Sequence, residues 1–353
     1  MKKKKTVKKR YRLKRFGLLY NLRLLLFILV PSVLLTSGYV YVQLATLHGE
    51  DLDHIALQLN TNAQKEKANV KNIALFGVDS RTEDYADSRS DSILVLSYNF
   101  DTKDVHLTSV ARDTFVYVNS EYDYEKLNHA FSYGGPSLAV QTLNQNFDLD
   151  ITDYIAVNFL VVEDIVNALG GVDIDIKDYE LDELNRIIRL ANKTNTNETE
   201  TIQSVGTQTL DGTQAVSYMR IRKVGNGDYE RMGRQREVIS LTANKLLSAN
   251  PFKLLSLIDT ILPAIETSLT PSEMLDLGLE VVTNRSVEII QQQIPYSEYR
   301  YNARLDDNLD YLIPNTLVSS VKKYHETIYD LETYTPSLAV ELISQSIEDQ
   351  TSH

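Results

Sequence analysis

Hydrophobic and polar positions divide this chain into unlike parts. Residues 24–47 form a mostly apolar run without a single charge, longer than the roughly 20 residues a helix needs to cross a bilayer. After polar residues 48–69, short apolar runs begin. Those at 72–78, 91–98 and 105–110 read as strands, the last two joined as a hairpin by the turn signal at 99–104. Gly134, Gly135 and Pro136 open a helical pattern that runs to about residue 146. Residues 154–158 read as a strand and 160–169 as a helix stopped by Gly170 and Gly171. Val172 to Ile176 alternates strictly, as a half-exposed strand does, and 181–191 is amphipathic at helical spacing.

Farther on, the Thr- and Asn-rich stretch 192–207 is expected to be a loop, 211–219 a short helix, 223–228 a glycine-containing loop and 229–247 a long helix. A helical hairpin is expected over 252–279, a strand over 287–295 and a helix over 314–330. Residues 331–353, rich in Thr, Ser, Glu and Asp around a short apolar stretch at 338–347, read as a frayed tail in preference to a surface helix. Strands and helices mixed in this way predict an α/β (α+β) fold, a central mixed β-sheet flanked by helices, over residues 70–330.

Charge adds a topology. Of the 36 basic residues, 11 precede residue 24, and the first acidic residue is Glu50; beyond the arm, 25 basic groups face 48 acidic ones. The positive-inside rule therefore makes 1–23 a cytoplasmic arm, 24–47 a transmembrane signal anchor, 48–69 a stalk and the rest an extracellular domain at the cell membrane. A cleaved signal peptide would have a shorter apolar core and a small-residue cleavage site, whereas this run ends in Tyr39, Tyr41 and Gln43. The basic arm suits anionic lipid. It has no helix-turn-helix pattern, and the acidic outer region would repel nucleic acid, so no nucleic-acid partner is expected. The chain has no cysteine, which excludes disulfides, cysteine zinc sites, iron–sulfur clusters and thiol nucleophiles.

Common catalytic signatures, including the P-loop, H-E-x-x-H and G-x-S-x-G, are missing. Asp and Arg instead gather at strand ends: Asp79 and Arg81 after the first, Arg89 and Asp91 at the second, Arg112 and Asp113 after the third. Strand ends are where α/β folds place ligands. A second group is Arg220, Arg222, Asp228, Arg231, Arg234 and Gln235. On a helix, Arg231, Arg234 and Gln235 fall at i, i+3 and i+4 and share a face. Guanidiniums that converge repel each other unless an anion is present, and their planar fork suits phosphate.

Two readings stay open here: a phosphate or pyrophosphate site, or arginines paired with surface carboxylates. Asp79 and Asp91 likewise either cap turns or, where they converge beside phosphate, supply the one or two carboxylates of a Mg²⁺ site. His129 reads as a hydrogen-bonded structural histidine.

Five segments together resemble the LytR-CpsA-Psr family of cell-wall enzymes. They are Gly77-Val78-Asp79-Ser80-Arg81, Arg89-Ser90-Asp91-Ser92, Ser109-Val110-Ala111-Arg112-Asp113-Thr114, Lys126-Leu127-Asn128-His129-Ala130 with Gly134-Gly135, and Arg220-Ile221-Arg222 followed by Asp228, Arg231, Arg234 and Gln235. Their order and spacing match over about residues 70–245, with Ala111 where the family often has Pro. The resemblance implies transfer of a glycan phosphate (teichoic acid, capsular or related glycopolymer) from a polyprenyl-pyrophosphate carrier to peptidoglycan. It also implies that Asp79 and Asp91 hold Mg²⁺, and that Arg89, Arg112, Arg220, Arg222 and Arg231, supplemented by Gln235, clamp the pyrophosphate.

Asp228 is the candidate general base for the attacking hydroxyl, with the helix N-terminal cap as its alternative role. Apolar residues of 160–169 and 238–258 either line a channel for the polyprenyl tail or pack the core. Competing functions are a non-catalytic envelope receptor or regulator that binds lipid pyrophosphate, and a lipid-pyrophosphate hydrolase.

Overall fold

The computed structural model describes residues 37–47, 49–52, 57–59, 69–78, 85, 88–194, 198–250, 253, 262–283 and 289–351. Most of the apolar run 24–47 lies outside these residues; 37–44 are helical, and no helix among the described residues is long and apolar enough to cross a membrane.

Six strands form the central sheet: β1 (Val70–Val78), β2 (Ser90–Asn99), β3 (Val105–Val110), β6 (Asp153–Asn158), β9 (Ile265–Thr267) and β10 (Ile289–Ile294), in the order β10-β3-β2-β1-β6-β9. It is mixed. The pairs β10·β3 and β1·β6 are parallel, whereas β3·β2, β2·β1 and β6·β9 are antiparallel. The β2–β3 hairpin closes where its turn residues predict, with Asn99 N–H donating to the Asp104 carbonyl. This register decides where the site lies. The C-terminal ends of β1, β3, β6 and β10 and the N-terminal end of β2 share one edge of the sheet, with Val78 opposite both Ser90 and Asn158 and Val110 opposite Ile294. Gly77 is required there, because a Cβ would fall 2.9 Å from that of Ser92 across the pair.

Three two-stranded sheets are added: β4 (Phe115–Asn119) with β5 (Asp123–Lys126), β7 (Val172–Ile176) with β8 (Gly206–Leu210), and β11 (Arg300–Arg304) with β12 (Asp310–Pro314). Eight helices are labelled in chain order: α1 (Leu127–Phe147), α2 (Phe159–Ala168), α3 (Asp178–Ala191), α4 (Gly212–Met219), α5 (Asp228–Ser248), α6 (Pro271–Thr283), α7 (Leu317–Ile328) and α8 (Leu338–Thr351).

The larger core packs alternate β1 residues Ala74, Phe76 and Val78 against α1, α7 and α8, with Phe76 against Phe131 at 5.1 Å between ring centroids. A second core joins Val172, Ile174 and Ile176 of β7 to α3, α4 and Val238 of α5. Val238 is thus a core residue, as the packing alternative for that segment requires.

Several expectations change. Helix α1 begins at Leu127, before the Gly134–Gly135 kink, where Gly135 has φ +62°. The loop expected to residue 207 yields at Gly206 to β8, which pairs with the predicted strand β7. The helical hairpin expected over 252–279 contains β9 and α6, and 254–261 fall outside the described residues.

Residues 331–351 are not a frayed tail, and the helical alternative holds over 338–351. They carry α8, whose Val340, Ser344 and Ile347 are buried, because apolar residues recur on one helical face. The stalk is likewise partly seated in the domain, where Leu52 and Leu57 are buried in the larger core and Asn144 donates to the Leu57 carbonyl.

Candidate functional site

At the shared edge of the sheet, β2 and β3 bring Arg89, Asp91, Arg112 and Asp113 to one cleft of about 1070 Å³. Its other walls include Lys126, Asn128 and His129 at the start of α1, the loop Arg222–Gly227 with Asp228 and Tyr229, and the hairpin residues Arg300 and Tyr311. The loop is shaped by Gly225, at φ +66°, where a Cβ would meet the Glu230 carboxylate at 2.0 Å. Glu230 accepts from the Asn226 N–H and thereby ties the loop to the first turn of α5.

The charges are ordered by pairing. Arg112 donates to Asp91, and lies 3.6 Å from Asp113, which is also 3.6 Å from the Lys126 ammonium. Asp228 sits between two guanidiniums, 3.1 Å from Arg222 Nε and 2.9 Å from Arg231. Burial works against the charge of Arg112, but Asp91, Asp113 and Asp228 outweigh it and raise its pKa. Arg231 is depressed, first by burial and then, although Asp228 opposes, by the like charges of Arg112 and Arg222. Arg300, stacked over Tyr229 at 5.4 Å, is depressed chiefly by burial.

The buried Nε of Arg112 and of Arg231 have no hydrogen-bond acceptor among the described residues. Buried donors of this kind are costly without a partner. An anion in the cleft would supply one and relieve the repulsion among the arginines.

Of the site residues expected from sequence, Arg89, Asp91, Arg112, Arg222 and Asp228 line this cleft, with Arg231 behind Asp228. Asp79 lies outside the described residues. Arg220 and Gln235 are not among the lining. Arg220 is exposed at the C-terminal cap of α4, over the Phe159 ring at 5.7 Å, and Gln235 is buried, accepting from the Ser92 hydroxyl at 3.2 Å. Asp228 is the first residue of α5, while Gly227 occupies the N-cap, so the side-chain cap is not formed.

Arg234, on the same helical face as Arg231 by spacing, is a buried structural ion pair with Glu180 at 2.7 Å. From sequence, Lys126 and Arg300 have no role and His129 only a structural one. Lys126 and His129 stand in a motif whose spacing marked it, whereas Arg300 reaches the cleft from a hairpin that no periodicity announced.

Comparison with known proteins gives the setting. The model of the LytR_cpsA_psr family matches residues 39–327. A polyisoprenyl-teichoic acid–peptidoglycan teichoic acid transferase, TagU of Enterococcus faecalis, is 32% identical over 195 residues, 53% of this chain and 59% of that protein, so the matched region spans about three fifths of the relative. A solved structure described as TagT bound to LI-WTA is 25% identical with a TM-score of 0.59, over 75% of this chain and 91% of that one. The protein gbs0355 of Streptococcus agalactiae, 22% identical, shares the fold with a TM-score of 0.65 over 83% of this chain and 99% of that one. On the extent of the family match and the motifs at the cleft, the chain belongs to the LytR-CpsA-Psr family.

Proposed function

We propose that the protein is a membrane-anchored phosphotransferase. It moves a glycan phosphate of the teichoic-acid or capsular kind from a polyprenyl-pyrophosphate carrier to a peptidoglycan hydroxyl and releases polyprenyl phosphate. The observation that carries this reading is one cleft where Arg89, Arg112, Arg222 and Arg300 converge while the buried Nε of Arg112 has no acceptor among the described residues. The relative named as a teichoic acid transferase supports the substrate class.

In this reading Arg89, Arg112, Arg222 and Arg300 hold the pyrophosphate oxygens, and Asp228 fixes the directions of Arg222 and Arg231. Catalysis comes from positioning and from charge placed where the transition state needs it.

Magnesium fits the donor set as a substrate-bridged ion. Among the described residues no three carboxylates or imidazoles could hold a metal by themselves. The Asp91 carboxylate, however, gives one oxygen to Arg112 and has no other side-chain hydrogen bond among the described residues, and one or two carboxylates suffice when phosphates complete the shell. Asp91, with Asp79, would hold Mg²⁺, which when bound supplies neutralisation of the pyrophosphate charge. The uncharged run 24–47 would keep the domain beside its lipid donor, raising the local concentration without tighter binding.

The test is the purified full-length protein with a polyprenyl-pyrophosphoryl glycan, Mg²⁺ and peptidoglycan oligomers. Polyprenyl phosphate release coupled to glycan attachment, with a loss of at least about a hundredfold in Arg112→Ala, is expected for removal of a preorganised charge. Release without attachment would make the protein a hydrolase, and lipid binding with neither product would make it a receptor.

A further inference from the structure

The transfer needs a group to accept the proton of the attacking hydroxyl, and the arrangement around Asp228 does not favour that residue, because its two oxygens face Arg222 and Arg231. A second titratable pair opens on the same cleft. His129, in the first turn of α1, places Nδ1 3.3 Å from Glu125 Oε1 at the end of β5. That carboxylate oxygen accepts from the Lys126 N–H at 2.8 Å and lies 2.9 Å from the Tyr311 hydroxyl of β12, whose single proton it shares with Asp307 at 2.5 Å. The Tyr133 ring meets the imidazole edge-on, with centroids 5.8 Å apart.

Nδ1 also lies 3.5 Å from the Tyr133 hydroxyl, which can give or accept; the nearer Glu125 carboxylate can only accept, and so favours the tautomer with the proton on Nδ1 and the lone pair on Nε2. No partner for Nε2 is found among the described residues, and His129 lines the cleft.

We infer that His129, oriented by Glu125, is the general base that takes the proton of the acceptor hydroxyl. The assignment rests on the transfer reading above. The hydroxyl oxygen forms a new bond to the glycan-bearing phosphorus as its proton passes to Nε2. The bond from that phosphorus to the bridging oxygen breaks, and polyprenyl phosphate departs with the electron pair. The proton then leaves His129 for solvent.

Glu125 is a positioning residue in this scheme. The groups facing the imidazole are Glu125 and Lys126 from β5, Arg89 from the approach to β2 and Tyr133 from α1, with Tyr311 of β12 acting through Glu125. Burial first, and then Arg89 and Lys126, depress the imidazole below its ordinary 6.5, while Glu125 opposes them. The ring is therefore neutral, in the base form, at neutral pH.

The experiment measures transfer against pH for the full-length protein, His129→Gln and Glu125→Gln, with polyprenyl-pyrophosphate binding and melting temperature followed in parallel. Wild type is expected to lose rate as pH falls through a pKa below 6.5. His129→Gln should lose that acid limb and about a hundredfold to ten-thousandfold in transfer, with donor binding unchanged. Glu125→Gln removes the charge that raises the imidazole pKa, so its acid limb should move to lower pH and its plateau should fall. Added imidazole should partly restore His129→Ala, which separates lost chemistry from lost folding. Transfer by His129→Gln within threefold of wild type, or with the acid limb intact, overturns the assignment alone. A wild-type protein that releases no polyprenyl phosphate overturns it together with the transfer reading.

Discussion

Arg231, Arg234 and Gln235 show how one helical face can hold three different jobs. Spacing places them together, and all three are buried. Arg231 joins the cleft through Asp228, Gln235 fastens α5 to β2 through Ser92, and Arg234 closes an ion pair away from the cleft. What faced each side chain was set by other parts of the chain: Glu180 comes from α3 and Ser92 from the sheet, more than fifty residues away in either case. Sequence periodicity reports which residues share a side, not what covers it.

Arg234 and Glu180 are each only 3% exposed in their side chains, and Arg234 also donates to Glu230 at 2.7 Å and to the Ile221 carbonyl at 3.2 Å. Arg234→Ala would leave the Glu180 charge buried without its cation. Breaking a buried pair in this way costs about 3–5 kcal/mol. Denaturant unfolding should show a loss of that size, and a loss below about 1 kcal/mol would show that Glu180 finds another partner or neutralises.

Among the elements, β1, β2 and β3 were legible because each is a short apolar run between turn signals, and with them the edge carrying Arg89, Asp91 and Arg112. The hairpins β4–β5 and β11–β12 were not. Residues 300–304 read Arg-Tyr-Asn-Ala-Arg, with no apolar face to betray a strand, and their place depends on partners such as Tyr229. Helix α8 was misread for the opposite reason. Its polar residues suggested a tail, yet Val340, Ile343 and Ile347 recur at i, i+3 and i+7, and Ile347 is completely buried.

Residues before α8 are also held. Asp148, at φ +53° beyond the end of α1, accepts from the Ser337 N–H at 2.7 Å and the Tyr334 hydroxyl at 3.1 Å. Ile347→Ala should therefore destabilise the protein by about 2–5 kcal/mol, the range for opening a cavity in a packed core. A change of only a few tenths of a kcal/mol, read from the denaturant midpoint at constant slope, would mean that α8 is not part of the cooperative core.

For the whole molecule, the link between the apolar run and the sheet matters most. Gly49 lies against β9, where a Cβ would be 2.1 Å from the Thr267 carbonyl oxygen. The Glu50 N–H donates to the Tyr154 hydroxyl, which donates in turn to Glu266, both at 2.7 Å. Leu52 and Leu57 then enter the larger core. A shortened chain that begins at Val70 would lack both leucines, and is expected to be less stable than one beginning at residue 46 by a few kcal/mol, on the scale of about 2–5 for a single buried leucine removed. Equal thermal unfolding of the two would show that residues 49–59 contribute nothing to the fold.

On the proposed function, the seat of Gly49 so soon after the apolar run also sets how far the cleft can reach. A long leash would let one anchored domain patrol successive layers of the wall. With Gly49 already pinned to β9 and the proposed span ending at residue 47, the cleft would be berthed at the bilayer, and its search for the proposed donor would become two-dimensional diffusion shared with the lipid. The glycan strand, as the far larger polymer, would have to be presented at the membrane face. Newly made wall, laid down at that face, is then the material the proposed transferase would decorate.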